Sequence, residues 1–283
     1  MMVKMVLCLV TVVMGQGLVP ATPAQAFVPT LTQETPSVTP ASWLYGKTPE
    51  AFQYRVLRSM RRVVVQGAPD KRLRFGVGYD DFKFGTLEGN AWTFDVGFER
   101  TQSPWGWGVL SPSQLWELAG LDDLLQIGAV PYVFTVVGGN IRLDGFAEVD
   151  VTNSDIIGIG DETSYAVGGS ATGHFEVGEA VTITPVGMFE QYWTGQEGQD
   201  DSTIFMLGSQ VDVVLGSGFD LDIHGYVTFD AQNDDVDDTF WEYGATLTFT
   251  ISEGWGVTIG YEATTGAEDF SSDRFFVDAQ VDF

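Results

Sequence analysis

The sequence has one cysteine, two histidines and few basic residues, with 13 Lys and Arg against 39 Asp and Glu. Each scarcity excludes something. The cysteine, Cys8, sits in an N-terminal segment that reads as removable. The mature chain therefore has no disulfide, no thiolate nucleophile and no thiolate metal site. A formal net charge of -26 repels nucleic-acid phosphates, so nucleic acid is not an expected partner. After the first 20 residues no apolar run is long enough for a transmembrane helix. That absence leaves membrane strands open, because such strands are short and alternating. Glycine pairs such as Gly168-Gly169 lie inside alternating segments and do not precede helices. They are not phosphate loops, and no cofactor is expected.

What is present is alternation. In the last eleven residues, DRFFVDAQVDF, Phe275, Val277, Ala279, Val281 and Phe283 fall on one side of an extended strand. Arg274, Phe276, Asp278, Gln280 and Asp282 fall on the other. Period-two spacing makes one apolar and one largely polar face.

The same pattern recurs upstream. Leu73, Phe75, Val77 and Tyr79 alternate with Arg74, Gly76 and Gly78, and Trp92 to Phe98 repeats the scheme. A short strand is expected at Trp105 to Leu110, after a Ser103-Pro104 turn. Leu115, Leu118, Leu121 and Leu125 suit helical spacing, which predicts a short helix in a loop over 111–125. Further strands are expected at 126–137, 140–151, 163–176, 180–192, 203–214, 219–229, 239–251 and 255–263, before the terminal strand. Short Gly-containing turns alternate with longer connections at 153–162, 194–202, 231–238 and 264–272. Short turns on one side and longer loops on the other belong to outer-membrane barrels, and an even strand number is the rule there. The expected fold is all-β: a closed antiparallel transmembrane β-barrel of about 12 strands, with 10 or 14 as the alternatives, over residues 72–283.

The segment before the barrel is different. Residues 1–26 have the form of a signal peptide: Lys4, an apolar run from Met5 to Met14, and a small-x-small site at Ala24-Gln25-Ala26. Residues 27–48 form a Pro- and Thr-rich linker. Residues 49–66 read as the one helix, with Thr48 as N-cap and Pro49 in the first position. Its Arg55, Arg58, Arg61 and Arg62 make a basic face. Nine of the 12 Lys and Arg after Ala26 lie between Lys47 and Lys83, whereas from Thr101 onward 31 acids meet only Arg142 and Arg274. A basic helix joined to an acidic barrel is a candidate plug for its lumen, where attraction is less screened than in bulk water.

Face assignment gives candidate pore-lining residues. A lipid-facing carboxylate is costly at mid-depth, so the favoured register puts Asp144, Glu148, Asp150, Asp220, Asp222, His224, Glu242, Glu262 and Asp278 inside. An inward set of carboxylates attracts cations. Small polar residues such as Thr246, Thr248 and Thr258 suggest a wet wall. No catalytic residues are assigned. Ser170 and His174 share a face but lie two pleats apart, about 13 Å along a strand, too far for a Ser-His bond. In one external loop Asp234, Asp235, Asp237 and Asp238 could bind Ca²⁺ through hard oxygens, although the glycine and spaced Glu of an EF-hand are missing. Glu197, Asp200 and Asp201 in another loop are a similar acidic group.

The ending on Phe283 resembles the C-terminal strand of bacterial outer-membrane β-barrels. In that superfamily a terminal Phe is part of the assembly signal, which implies the barrel-assembly machinery as a partner, with outer-membrane lipid and lipopolysaccharide around the barrel. The order of signal peptide, linker, helix and barrel also resembles the translocator domain of autotransporters, in which a helix threads the pore and joins an external passenger to the barrel. Only 22 residues, 27–48, separate the signal peptide from the helix, too few for a folded passenger. The resemblance implies a helix-plugged barrel or small porin in the outer membrane of a Gram-negative-type bacterium. The expected role is a passive channel for small solutes or cations. A structural, adhesive or autotransporter-like barrel without an open pore is the alternative, and a lipid-modifying enzyme is a third.

Overall fold

The computed structural model describes residues 60–62, 70–84, 87–118, 124–154, 162–193, 201–216, 218–231, 239–252, 254–266 and 270–283. Thirteen strands follow one another: β1 (Lys71–Phe84), β2 (Leu87–Gln102), β3 (Trp105–Leu118), β4 (Leu124–Val137), β5 (Ile141–Ser154), β6 (Glu162–Gly173), β7 (Phe175–Val177), β8 (Val181–Trp193), β9 (Ser202–Gly216), β10 (Phe219–Asp230), β11 (Thr239–Ser252), β12 (Trp255–Gly266) and β13 (Phe270–Asp282). Every neighbouring pair is antiparallel. β1 pairs with β13, and β6 pairs with β8, so the sheet closes on itself.

The closed barrel has twelve staves, because β6 and β7 are two parts of one. The break has a local cause. In the register between Thr172↔Val186 and Phe175↔Ile183, the residues facing Gly173 and His174 are Pro185 and Thr184. Proline has no N–H to give to the ladder. The sequence-predicted strand over 163–176 is thus interrupted at His174.

Two further expectations change. The short helix predicted over 111–125 is not formed: β3 continues through Ser111, Pro112 and Ser113 to Leu118, and Leu124 and Leu125 begin β4. The leucine spacing fits a helix, but each strand needs neighbours for its backbone groups, and β2 and β4 supply them. Pro112 is accommodated where the β3–β4 ladder skips a step, between Leu110↔Val130 and Ser113↔Ile127. Ser111 Oγ donates there to the Gly128 carbonyl at 2.9 Å. The long connection predicted over 264–272 shrinks, since β12 runs to Gly266 and β13 starts at Phe270.

Apart from β7, the strands are 12–16 residues long, more than the ~9–11 needed to cross a bilayer. Their outward faces are apolar. Val96, Val109, Ile127, Val149, Leu207 and Ile223 are exposed at mid-height. Trp105, Trp107, Phe219 and Trp255 are exposed near the short-turn end, and Tyr165, Trp193, Trp241 and Tyr243 near the other. An aliphatic band between two aromatic girdles is the outer surface of a lipid-embedded barrel.

Inside, six large rings lie over glycines of the adjacent strand. Phe134 faces Gly106 and Tyr132 faces Gly108 across β3–β4, and Phe146 faces Gly168 across β5–β6. Tyr226 faces Gly208, Phe276 faces Gly260, and Phe82 faces Gly89. A Cβ at any of these glycines would overlap the ring. With only hydrogen on the neighbour, each ring lies against the wall.

Candidate functional site: the barrel lumen

Three residues upstream of the barrel, 60–62, are helical and buried, with Met60, Arg61 and Arg62 at 0%, 3% and 7% exposure. The remainder of the predicted helix, with Arg55 and Arg58, lies outside the described residues, as do the signal-peptide and linker segments. Met60 joins an apolar cluster on the inner wall with Leu110, Val130, Tyr132, Met188 and Met206. This wall departs from the wet, small-polar lumen expected from the last strands. Its residues alternate with outward apolar ones, as Val130, Tyr132 and Phe134 do with Ala129, Pro131 and Val133 on β4. With both faces rich in apolar residues, alternation gives no contrast.

Arg61 and Arg62 reach the polar wall formed by β10–β13. Arg61 donates to Glu242 Oε1 and, at 2.8 Å, to Glu262 Oε1. Arg62 donates to Glu262 Oε2 at 2.8 Å and lies 3.8 Å from Asp95. Both guanidinium groups stack on rings: Arg61 is 4.2 Å from the Tyr226 centroid, and Arg62 3.9 Å from that of Phe276. Planar guanidinium suits this combination of fork and face. These ions are desolvated, so their pairing is obligatory: removing one partner leaves the other charge buried.

A second network crosses the opposite side. Arg142 donates to Asp144 at 2.9 Å and to Glu99 at 2.7 Å, over the Phe134 ring at 3.9 Å. Tyr132 Oη donates to Glu99 at 3.0 Å, and Ser170 Oγ to Asp144 at 3.2 Å. A third joins the first and last strands, with Arg74 on Asp278 at 2.8 Å and Arg72 on Asp282 at 2.7 Å. Arg274, also buried, donates to Thr93 at 2.7 Å and lies 3.6 Å from Asp80.

All nine pore-lining candidates sit on the inner face, but not as one ring. Asp220, Asp222, His224, Glu262 and Asp278 line a cavity of about 330 Å³ together with Arg61, Arg62 and Asp212. Glu242 meets this group through Arg61. Asp144 belongs to the Arg142 network, and Glu148 and Asp150 lie further along β5. Asp212, Glu99, Asp95 and the inward arginines 72, 74, 142 and 274 were missing from the sequence-derived site. A register through Asp212, which faces both Thr182 and Asp222, would have found the first. The Arg–acid pairs depend on chords across the barrel, which no single strand reveals.

Ser170 bonds Asp144, while His174 Nδ1 lies 3.5 Å from Thr184 Oγ1. Among the described residues these two make no Ser-His pair. Phe283 is exposed at the short-turn end, its ring 5.3 Å from Lys71 Nζ, and its N–H donates to the Lys71 carbonyl at 2.9 Å. Asp201 is exposed. The Ca²⁺ candidates Asp234, Asp235, Asp237 and Asp238, with Glu197 and Asp200, lie outside the described residues.

No protein-family model matches the sequence, and no curated protein is similar to it. Solved structures are. The translocator domain of the autotransporter NalP from Neisseria meningitidis superposes with a TM-score of 0.68 at 13% identity, covering 87% of this chain and 100% of that one. The fold is that of the bacterial outer-membrane β-barrels. The β domain of the Bordetella autotransporter BrkA gives a TM-score of 0.55 at 14% identity, covering 77% of this chain and all of the other. An outer-membrane channel from Pseudomonas putida F1 gives 0.55 at 12% identity, covering 77% and 96%. Translocator and channel barrels thus share one architecture with this chain.

Proposed function

We propose that this barrel is a helix-plugged outer-membrane pore, a passive route for small solutes or ions that the segment bearing Arg61 and Arg62 holds closed. The observation that carries this reading is the pair of charge-assisted hydrogen bonds from Arg61 to Glu242 and Glu262, reinforced by Arg62 on Glu262. A segment that only passed over the barrel mouth would not bury two guanidinium groups against carboxylates on the inner faces of β11 and β12. Cation preference follows from the balance left inside. Asp212, Asp220 and Asp222 crowd one side of the cavity, and a low-dielectric wall strengthens their field. Lipid and lipopolysaccharide surround the barrel, its C-terminal strand engages the assembly machinery, and no catalytic step is assigned to it.

The test is planar-bilayer conductance of the full chain beside the double variant Arg61→Glu, Arg62→Glu. Reversed charges face Glu242, Glu262 and Asp95 and repel the segment. A quiet wild type and a steadily conducting, cation-selective variant are expected. Equal conductance would remove the plug, and silence in both would remove the channel.

The second reading, a barrel with no open pore, is favoured by the Met60 cluster, which seals the apolar wall independently of charge. It predicts silence in the charge-reversal variant as well.

A further inference from the structure

Beside the Arg61 bridge stands a histidine with one ring nitrogen that no hydrogen bond among the described residues uses. His224 is 7% exposed, and its Nδ1 is 2.8 Å from Asp222 Oδ1. Its other nitrogen, Nε2, points away from that contact and makes no hydrogen bond among the described residues. Glu262 Oε1 lies 3.7 Å from Nε2, and Glu242 is the next carboxylate. One ligand atom from each of His224, Glu242 and Glu262 falls within 4.8 Å of the others, and all three residues are buried.

A carboxylate on Nδ1 fixes the ring so that Nε2 presents a lone pair, which is how metal-ligating histidines are held. One imidazole and two carboxylates suit a divalent transition metal, with water from the adjoining cavity as the fourth ligand. Zinc ligand bonds of about 2.0–2.2 Å need donor separations a little over 3 Å, so closing from 4.8 Å asks for rotamer adjustment without backbone movement. Three surrounding strands, β10, β11 and β12, supply one donor each.

The oxygens are already in use. Arg61 holds Glu242 Oε1 and Glu262 Oε1, the edge of Glu262 that faces His224, while Arg62 takes Oε2. A metal ion and the Arg61 guanidinium are two cations for one place. We propose that His224, Glu242 and Glu262 form a lumenal site for a divalent transition-metal ion of the zinc type, and that the ion competes with Arg61 for the two carboxylates. Arg62 on Glu262 Oε2 and Asp222 on His224 Nδ1 would then act as the orienting outer partners. His224 selects zinc over the harder Mg²⁺ and Ca²⁺, which bind oxygen alone. The competition deepens the plug reading, because a metal that frees Arg61 loosens the segment. The site itself does not depend on conduction.

The experiment is calorimetric titration of ZnCl₂ into the tag-free full chain in detergent micelles, with heat-modifiable electrophoretic mobility confirming each variant is folded. The wild type is expected to bind one ion. His224→Gln should weaken binding at least tenfold, Arg61→Ala should strengthen it about tenfold, and Mg²⁺ or Ca²⁺ should not compete. Zinc binding that is absent from both wild type and Arg61→Ala, or that is unchanged in His224→Gln, would overturn the site. Binding that needs His224 but ignores Arg61→Ala would overturn the competition. Bilayer recordings separate this from the pore: zinc binding by a barrel that stays silent in the charge-reversal variant leaves the site standing and removes the channel.

Discussion

Arg142 on β5 reaches Glu99 on β2 at 2.7 Å, passing over the two strands between them. The bond is a chord of the barrel, anchored by Asp144 on the same guanidinium. Such a chord belongs to the tertiary structure alone, and it is sensitive to loss of one end.

Arg142→Met therefore leaves Glu99 and Asp144 buried without their cation. A loss of about 3–5 kcal/mol is expected. The midpoint of urea unfolding in lipid vesicles reads it. Adding Glu99→Gln and Asp144→Asn to the same chain should recover most of the loss, since the stranded charges are then gone.

Gly108 tests the ring-on-glycine contacts. A side chain there meets the Tyr132 ring and, behind it, the Phe98 carbonyl at 2.6 Å, which cannot move aside. Gly108→Val should cost about 1–3 kcal/mol by overpacking. Gly145→Ala, on the outer face with open space around it, should leave the same unfolding midpoint nearly unchanged.

The outer band is tested with a charge. Val149 is 43% exposed in the middle of the apolar belt, and Val149→Arg should make folding into bilayers less favourable by about 2–4 kcal/mol. Thr246→Arg, on the inner face beside Asp222, should cost clearly less. Equal costs would mean that the two faces have been assigned wrongly.

The proposed cation preference is tested at the carboxylates. In the Arg61→Glu, Arg62→Glu background, Asp212→Lys with Asp220→Lys should shift the reversal potential in a salt gradient toward anions. A potential unmoved by four units of added charge would place the ion path away from β9 and β10.

Phe283 separates assembly from stability. Its N–H bond to Lys71 survives substitution, and its ring offers an exposed cation–π contact worth about 0.5–1 kcal/mol. Phe283→Ala should barely change the unfolding midpoint of refolded protein. If the residue acts as an assembly signal, the folded fraction in cell envelopes should nonetheless fall severalfold.

Much of the barrel is legible in the sequence wherever its two faces differ. Trp241 to Ile251 alternates with Glu242 to Thr250, and β11 runs over Thr239–Ser252. Legibility fails where contrast fails. Along 111–118 serine, proline, glutamine and leucine leave both faces mixed, and Leu115, Leu118, Leu121 and Leu125 happen to keep helical spacing. The lumenal acids could be assigned to the inside by the cost of exposing them to lipid. Their partners could not, because Arg142 with Glu99 and Arg61 with Glu242 join residues 43 and 181 positions apart. The pocket around His224 needed β10, β11 and β12 in register before its three donors met.

The rings lying over glycines also act as a check on alignment during closure. Antiparallel strands can slip by two residues and keep the same faces inward, so the inside–outside pattern alone does not forbid the error. After such a slip Tyr226 would face Met206 or Gln210 in place of Gly208, and Phe276 would face Thr258 or Glu262 in place of Gly260. Each ring would be driven off the wall into space that Met60, Arg61 and Arg62 occupy. A misaligned barrel would therefore crowd residues 60–62, and only the aligned one leaves Met60, Arg61 and Arg62 their room.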